Sequence, residues 1–194
     1  MDEFSSNVFK RLPILTDLKK TIFAYWCCKR LLPNYVKFNE LENWGDINVL
    51  LDALNYLEAY LINDEYDEGK IRELLRIIDD VIPNTNDFDT IYASFALDAC
   101  SSIYETLLFL KDKKNEHIIS VGSLMRDTVD IFIQEKEKLD YNDPNFEVKI
   151  KQDPFMINEL NRQTQFLEKL LKYKGDNLVN VLNSYDAIID LSLL

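Results

Sequence analysis

The segment from Ser94 to Leu110, SFALDACSSIYETLLFL, constrains the fold of this chain more than any other stretch. Wound as a helix, it places Phe95, Ala96, Ala99, Ile103, Leu107 and Leu110 on one stripe. Leu97, Tyr104 and Leu108 carry apolar surface round much of the remaining cylinder. What stays polar is a narrow seam of Ser94, Asp98, Ser101 and Glu105, spaced i, i+4, i+7 and i+11. A helix this apolar has to be surrounded by others, so the segment predicts the central post of a bundle.

The remainder of the chain supplies the neighbours. Four Gly and five Pro in 194 residues leave few breaks, and long stretches of 3.6-residue period dominate. The expected fold is all-α: one domain over residues 1–194, with about seven helices around the post at about 94–110. Residues 1–15 read as a lead-in. Thr16 is expected to cap a first helix carrying Leu15, Leu18, Ile22, Tyr25 and Trp26, which Pro33 ends or kinks. A second helix would then run to Trp44-Gly45, and Asp46 would cap a third reaching Ile62. After the acidic linker Asn63 to Glu68, a further helix is expected to stop at Pro83. Ser94 is the expected cap of the central helix. Beyond the basic turn Lys111 to Lys114, a helix to about Leu139 and another from Pro154 carrying Ile157, Leu160, Leu167, Leu170 and Leu171 complete the bundle. Residues 140–153 read as loop. The segment 176–194 reads as helix in preference to strand, with its apolar part able to pack across a dimer.

Charge is the second constraint. The formal net charge is −12 at pH 7, and it is concentrated. Residues 38–110 hold sixteen acids against three bases (Lys70, Arg72 and Arg76), whereas residues 1–37 hold seven bases and three acids. Such a field repels nucleic-acid phosphates and attracts basic partners, so nucleic-acid binding is not expected. No apolar run approaches the ~20 residues of a bilayer span, and the acidic start (Asp2, Glu3) argues against a signal peptide. Cys27, Cys28 and Cys100, odd in number and without C-x-x-C spacing, read as reduced, buried thiols. A cytoplasmic protein without membrane contact is the expectation.

The inventory excludes several chemistries. One histidine, His117, rules out a His-rich zinc site and a di-iron bundle. Four glycines leave no phosphate-cradling loop. No cofactor and no metal are expected. Arg30, Asn34, Tyr35, Asp46, Asp87, Asp89 and Asp98 are the polar residues of interest. Two arrangements are open for them. In one, Arg30 and Asp98 form a partly buried ion pair joining the first helix to the central one. In the other, Asp98, Asp87 or Asp89, and Asp46 converge on a cation or a substrate amine.

These residues also carry a resemblance. Arg30-Leu31-Leu32-Pro33-Asn34-Tyr35, then Phe38, then Trp44-Gly45-Asp46, resembles the YjaG-like family of bacterial proteins of unknown function. Ile82-Pro83, Asp87-Phe88-Asp89 and Ala96-Leu97-Asp98-Ala99-Cys100 follow in the family's order and spacing. The match runs from about Lys10 to Leu110 and is diffuse beyond. It departs at Phe95, where the family tends to have proline, and at the C-terminus. The resemblance implies an all-α cytosolic domain and carries no reaction with it.

Function is therefore expected from the surface. The leading expectation is a non-enzymatic protein that binds another, basic protein through an acidic helical face of Glu40, Glu42, Asp52, Glu58, Tyr60, Asp64, Glu65, Asp67 and Glu68. Its most specific form is an immunity protein neutralising a basic toxin. The alternatives are an enzyme using Arg30, Tyr35 and Asp98, and a structural protein forming homodimers through its tail.

Overall fold

A computed structural model of the chain describes residues 11–175 and 177–194. Among these there are eight α-helices and no strand. They are α1 (Asp17–Glu42), α2 (Ile47–Asn63), α3 (Glu68–Asp79), α4 (Tyr92–Asp112), α5 (Asn115–Glu137), α6 (Phe146–Gln152), α7 (Pro154–Lys172) and α8 (Leu178–Leu182). Single 3₁₀ turns lie at Leu12–Ile14, Thr85–Asp87 and Leu191–Leu193. The bundle is all-α, as expected.

The caps follow ordinary side-chain chemistry. Thr16, Asp46, Asp67 and Asp153 accept hydrogen bonds from backbone N–H groups in the first turns of α1, α2, α3 and α7. Asn43, Asp64, Lys113 and Lys138 close α1, α2, α4 and α5 in left-handed conformation. The central helix starts earlier than Ser94. Its first turn is entered through Thr90, whose hydroxyl accepts from the Tyr92 N–H at 3.3 Å.

α4 is indeed the post, but it shares that position with α1, the helix it touches most. α1 is buried nearly all round, from Lys20 to Phe38. One hydrophobic core gathers side chains from all eight helices. By length and composition α4 could cross a membrane, contrary to the sequence estimate, yet 67% of its apolar window is enclosed by the bundle. Cys27, Cys28 and Cys100 are free and buried, and burial pushes the Cys28 thiol up to about 11.

Several expectations give way here. α1 runs unbroken through Pro33. Proline removes one donor from the helix ladder, but a helix packed on all sides keeps its course. In the same turn, the Arg30 carbonyl accepts from the N–H of Ile188 in the C-terminal segment at 3.1 Å. The expected loop 140–153 contains α6, whose Ile150 is buried. α7 is rotated from its expected face: Ile157 and Leu171 are exposed, and its buried stripe is Met156, Glu159, Gln163, Phe166, Leu167 and Leu170. The tail is only briefly helical. It lies against its own chain, with Val181, Leu182, Ile188 and Ile189 buried. The lead-in 1–10 lies outside the described residues.

Candidate functional site

Two places gather the polar residues that the sequence singled out. The first is the junction where α1 ends, α2 begins and the segment after α3 passes. Tyr35, fully buried, donates its hydroxyl to the Val81 carbonyl at 3.3 Å. Gly45 lies against that hydroxyl so closely that a Cβ there would come within 2.2 Å of it. Its φ of +79° is a conformation other residues resist. Phe38, Trp44 and Phe88 pack edge to face, with centroids 4.9–5.8 Å apart. Asn39 donates to the carbonyls of Trp44 and Gly45 at 2.8 and 3.2 Å. The motifs Trp44-Gly45-Asp46 and Asp87-Phe88-Asp89, far apart in sequence, are thereby brought side by side.

Carboxylates flank the residues of this aromatic knot in the sequence. Glu40, Glu42, Asp46, Asp79, Asp80, Asp87 and Asp89 are all exposed on the segments that form it. Asp46 is occupied as the α2 cap, 2.9 Å from the Asn48 N–H. Asp80 lies 3.7 Å from Arg76. Glu40, Glu42, Asp79, Asp87 and Asp89 have no ion pair among the described residues.

The acidic face expected along α2 divides into two patches. Seventeen residues at about 1.5 Å each hold its ends roughly 25 Å apart. Asp64, Glu65, Asp67 and Glu68 collect at the far end, where Asp67 caps α3 and Glu68 pairs with Arg72 at 3.2 Å. The outer stripe between them, Asn48, Leu51, Asp52, Asn55 and Ile62, is exposed and carries one carboxylate, Asp52. Glu58 turns inward and accepts from the Tyr25 hydroxyl at 2.8 Å. Tyr60 is half-buried and accepts from Lys113 Nζ at 3.4 Å.

The second place is the interior around Arg30. The expected pair with Asp98 does not form. Arg30, wholly buried, makes a bidentate pair with Glu159 of α7, Nη1–Oε1 3.0 Å and Nη2–Oε2 2.7 Å. Its Nε donates to the Asp186 carbonyl at 3.1 Å, and its guanidinium carbon lies 4.4 Å from the centroid of the Trp26 ring. Gln163 donates to Glu159 at 3.0 Å and to the Gly122 carbonyl at 3.3 Å. Burial pushes the Glu159 carboxyl above its ordinary range while the Arg30 guanidinium pulls against that shift.

Asp98 instead accepts from the Thr128 hydroxyl of α5 at 2.7 Å. Burial raises its pKa to about 7, with the Thr128 hydrogen bond opposing. Asp46, Asp87, Asp89 and Asp98 therefore do not converge. Among the described residues no group of three or more His, Cys, Asp or Glu could hold a metal ion. Asn34, one turn beyond Arg30, is fully buried with neither amide atom hydrogen-bonded. His117 lies 2.6 Å from Glu105 and 3.3 Å from Asp112, closing the α4–α5 turn.

Sequence reasoning found Arg30 and missed Glu159, Gln163 and Asp186. A signal existed in α7. Glu159 and Gln163, four residues apart, interrupt the stripe set by Met156, Phe166, Leu167 and Leu170, which marks a polar pair facing a core. Nothing local marks Asp186, because its role is set by the path of the tail.

Comparison with known proteins places the chain. A crystal structure of a DUF416 family protein from Shewanella baltica OS155 is similar to it, with a TM-score of 0.81 and 29% identity, over 94% of this chain and 92% of that one. An uncharacterized protein of Haemophilus influenzae is 25% identical over 169 residues, covering 85% of this chain and 82% of that protein. The family model described as a protein of unknown function (DUF416) matches residues 7–184, nearly the whole sequence, and the chain belongs to that family.

Proposed function

We propose that this chain is a binding protein that holds a basic protein partner through the carboxylates around the Trp44–Phe88 knot. The observation that carries the reading is that Glu40, Glu42, Asp79, Asp87 and Asp89 stand exposed and, among the described residues, without ion pairs on the segments that carry the packed rings of Phe38, Trp44 and Phe88. Exposed Leu41 and the partly exposed Trp44 and Phe88 add apolar area among them. Charge with interleaved aromatic surface is what steers and then retains a protein partner. A second acidic patch, Asp64 to Glu68 at the far end of α2, has Tyr66 exposed beside it. In its most specific form the reading is an immunity protein that covers the active surface of a basic toxin. The finer likeness of the motifs to YjaG-like proteins brings no activity with it, so the reading rests on the surface.

The test is capture of partners from the source cell by the wild-type chain and by a variant with Glu40→Gln, Glu42→Gln, Asp87→Asn and Asp89→Asn. None of these four residues holds the fold through an ion pair. A basic partner kept by the wild type, lost by the variant and eluted by moderate salt supports the reading. Equal retention by both chains in high salt refutes it.

A further inference from the structure

Between α7 and the segment after α8 lies a cleft of about 610 Å³, inside the range of roughly 300–1,000 Å³ that small-molecule sites occupy. Phe155, Asn158, Glu159 and Arg162, spaced i, i+3, i+4 and i+7, turn one face of α7 into it. The chain from Asp186 to Ser192 forms the opposite wall. A single buried group braces both walls. The Arg30 guanidinium holds the Glu159 carboxylate of α7 at 2.7 and 3.0 Å and, through Nε, the Asp186 carbonyl at 3.1 Å. The Arg30 carbonyl in turn accepts from the Ile188 N–H at 3.1 Å. The cleft is therefore held open by the scaffold before any ligand arrives.

Its lining carries charge of both signs beside apolar surface. Ile188 and Ile189 are buried in the tail wall, and Phe155 is half-buried on α7. Arg162, 47% exposed, spends Nη1 on the Asp186 carboxylate at 2.9 Å, which leaves Nε and Nη2 as donors. Asn158, one turn before it on the same face, adds an amide. Asp190 Oδ1 accepts from the Ser192 N–H at 3.0 Å and the Ser192 hydroxyl at 2.6 Å. Those bonds orient the carboxylate and leave Oδ2 to a ligand. Glu159 offers nothing further, because Arg30 takes both of its oxygens. A ligand bearing a carboxylate alone would meet Arg162 but also face Asp186 and Asp190. One bearing an ammonium alone would meet Asp190 but also face Arg162. A small zwitterion with an apolar side chain answers every part of the lining.

We infer that this cleft binds a free α-amino acid with an aliphatic or aromatic side chain. Its carboxylate lies on Arg162 and Asn158, its ammonium on Asp190, and its side chain against Ile188, Ile189 and Phe155. The site shares no residue with the carboxylates of the proposed partner surface, so either reading can fail without the other.

The experiment titrates the full-length chain with L-leucine and with L-phenylalanine to about 10 mM by isothermal calorimetry. N-acetyl-leucine, which lacks the ammonium, and leucinamide, which lacks the carboxylate, are titrated beside them. Binding of either amino acid, with the matching capped forms weaker by about tenfold or more, supports the proposal. Two substitutions at the exposed rim then assign the contacts. Arg162→Gln should weaken leucine by about tenfold and leave leucinamide unchanged. Asp190→Asn keeps the acceptor for Ser192; it should weaken leucine and leave N-acetyl-leucine unchanged. Neither amino acid binding overturns the proposal, as does a capped form binding as well as leucine. Affinities untouched by both substitutions, or lowered equally for all the ligands, overturn it too.

Discussion

Replacing Glu159 by glutamine tests the interior most directly. The substitution keeps shape and hydrogen-bonding capacity and removes one charge. It leaves the guanidinium of Arg30, which has no exposed surface, with the Asp186 carbonyl and a neutral amide as its nearest acceptors. Asp186 offers little compensation. Its carboxylate is 3.8 Å from Arg30 Nε and its side chain is 63% exposed, so water screens it. Breaking a buried pair from one side costs about 3–5 kcal/mol, against a total stability of about 5–15 kcal/mol for a domain. For a chain of this length, that lowers the melting temperature by roughly 6–20 °C. The measurement is urea and thermal unfolding followed by far-ultraviolet circular dichroism, with an unchanged denaturant slope to show that the unfolded state is not altered. A companion, Arg30→Met with Glu159→Leu, removes both charges together and is expected to return to within about 1–2 kcal/mol of wild type. A single substitution costing less than about 1 kcal/mol, or a double variant no better than the single, would refute the account of Arg30 as a buried cation held by Glu159.

Three further outcomes follow from the same interior. Asp98, with a pKa raised from 3.8 to about 7, is protonated in the folded chain where the unfolded chain has lost its proton. Its contribution to stability therefore falls as pH rises from about 4 to about 7, by up to roughly 4 kcal/mol, and Asp98→Asn should flatten the slope of denaturant midpoints across the range by that share. Gly45→Ala forces a Cβ onto the Tyr35 hydroxyl and a side chain into positive φ, and should cost about 2–4 kcal/mol. Adding Tyr35→Phe to it should restore part of the loss, and strictly additive losses would sink that explanation. Asn34→Leu removes a buried carboxamide whose nitrogen and oxygen both lack a partner and should stabilise the chain by about 1–3 kcal/mol in urea unfolding. A loss of stability instead would mean that the amide is satisfied by a group the protein itself does not supply.

What could be read from the sequence divides along a physical line. Local chemistry was legible: Thr16 and Asp46 cap where short polar side chains before periodic runs should, and the apolar stripe of α4 is buried where its spacing puts it. Pairing between distant elements was not. Asp98 looked like the partner of Arg30 because both sat on helices expected to touch, and α1 and α4 do touch. The guanidinium nevertheless points to α7, whose buried face was misjudged by the weight given to Ile157 and Leu171. Pro33 was overvalued as a breaker, because helix propensity yields to packing when a helix is buried nearly all round. The acidic segment was recognised from composition, but composition cannot say that Glu58 turns inward or that Asp52 stands alone on the outer stripe of α2.

The division of labour among the polar residues bears on what kind of protein this is. A catalytic group needs spare valence at a place a substrate can reach. Arg30, Tyr35 and Asp98, the residues of the enzyme alternative read from the sequence, are buried and already bonded, to Glu159, to the Val81 carbonyl and to Thr128. Asp46 is spent on a helix cap. Each explains its place in the motifs by what it does for the scaffold. Among the described residues, Glu40, Glu42, Asp79, Asp87 and Asp89 are exposed carboxylates without an ion pair, on the segments that carry Phe38, Trp44 and Phe88. Carboxylates within about a Debye length of one another repel, so the proposed reading predicts a cost to the folded chain that an incoming cationic surface would remove. The same reasoning sets a check on the fold alone. Salt should stabilise the wild-type chain more than the variant with those acids neutralised, and equal salt responses would mean that the carboxylates do not feel one another.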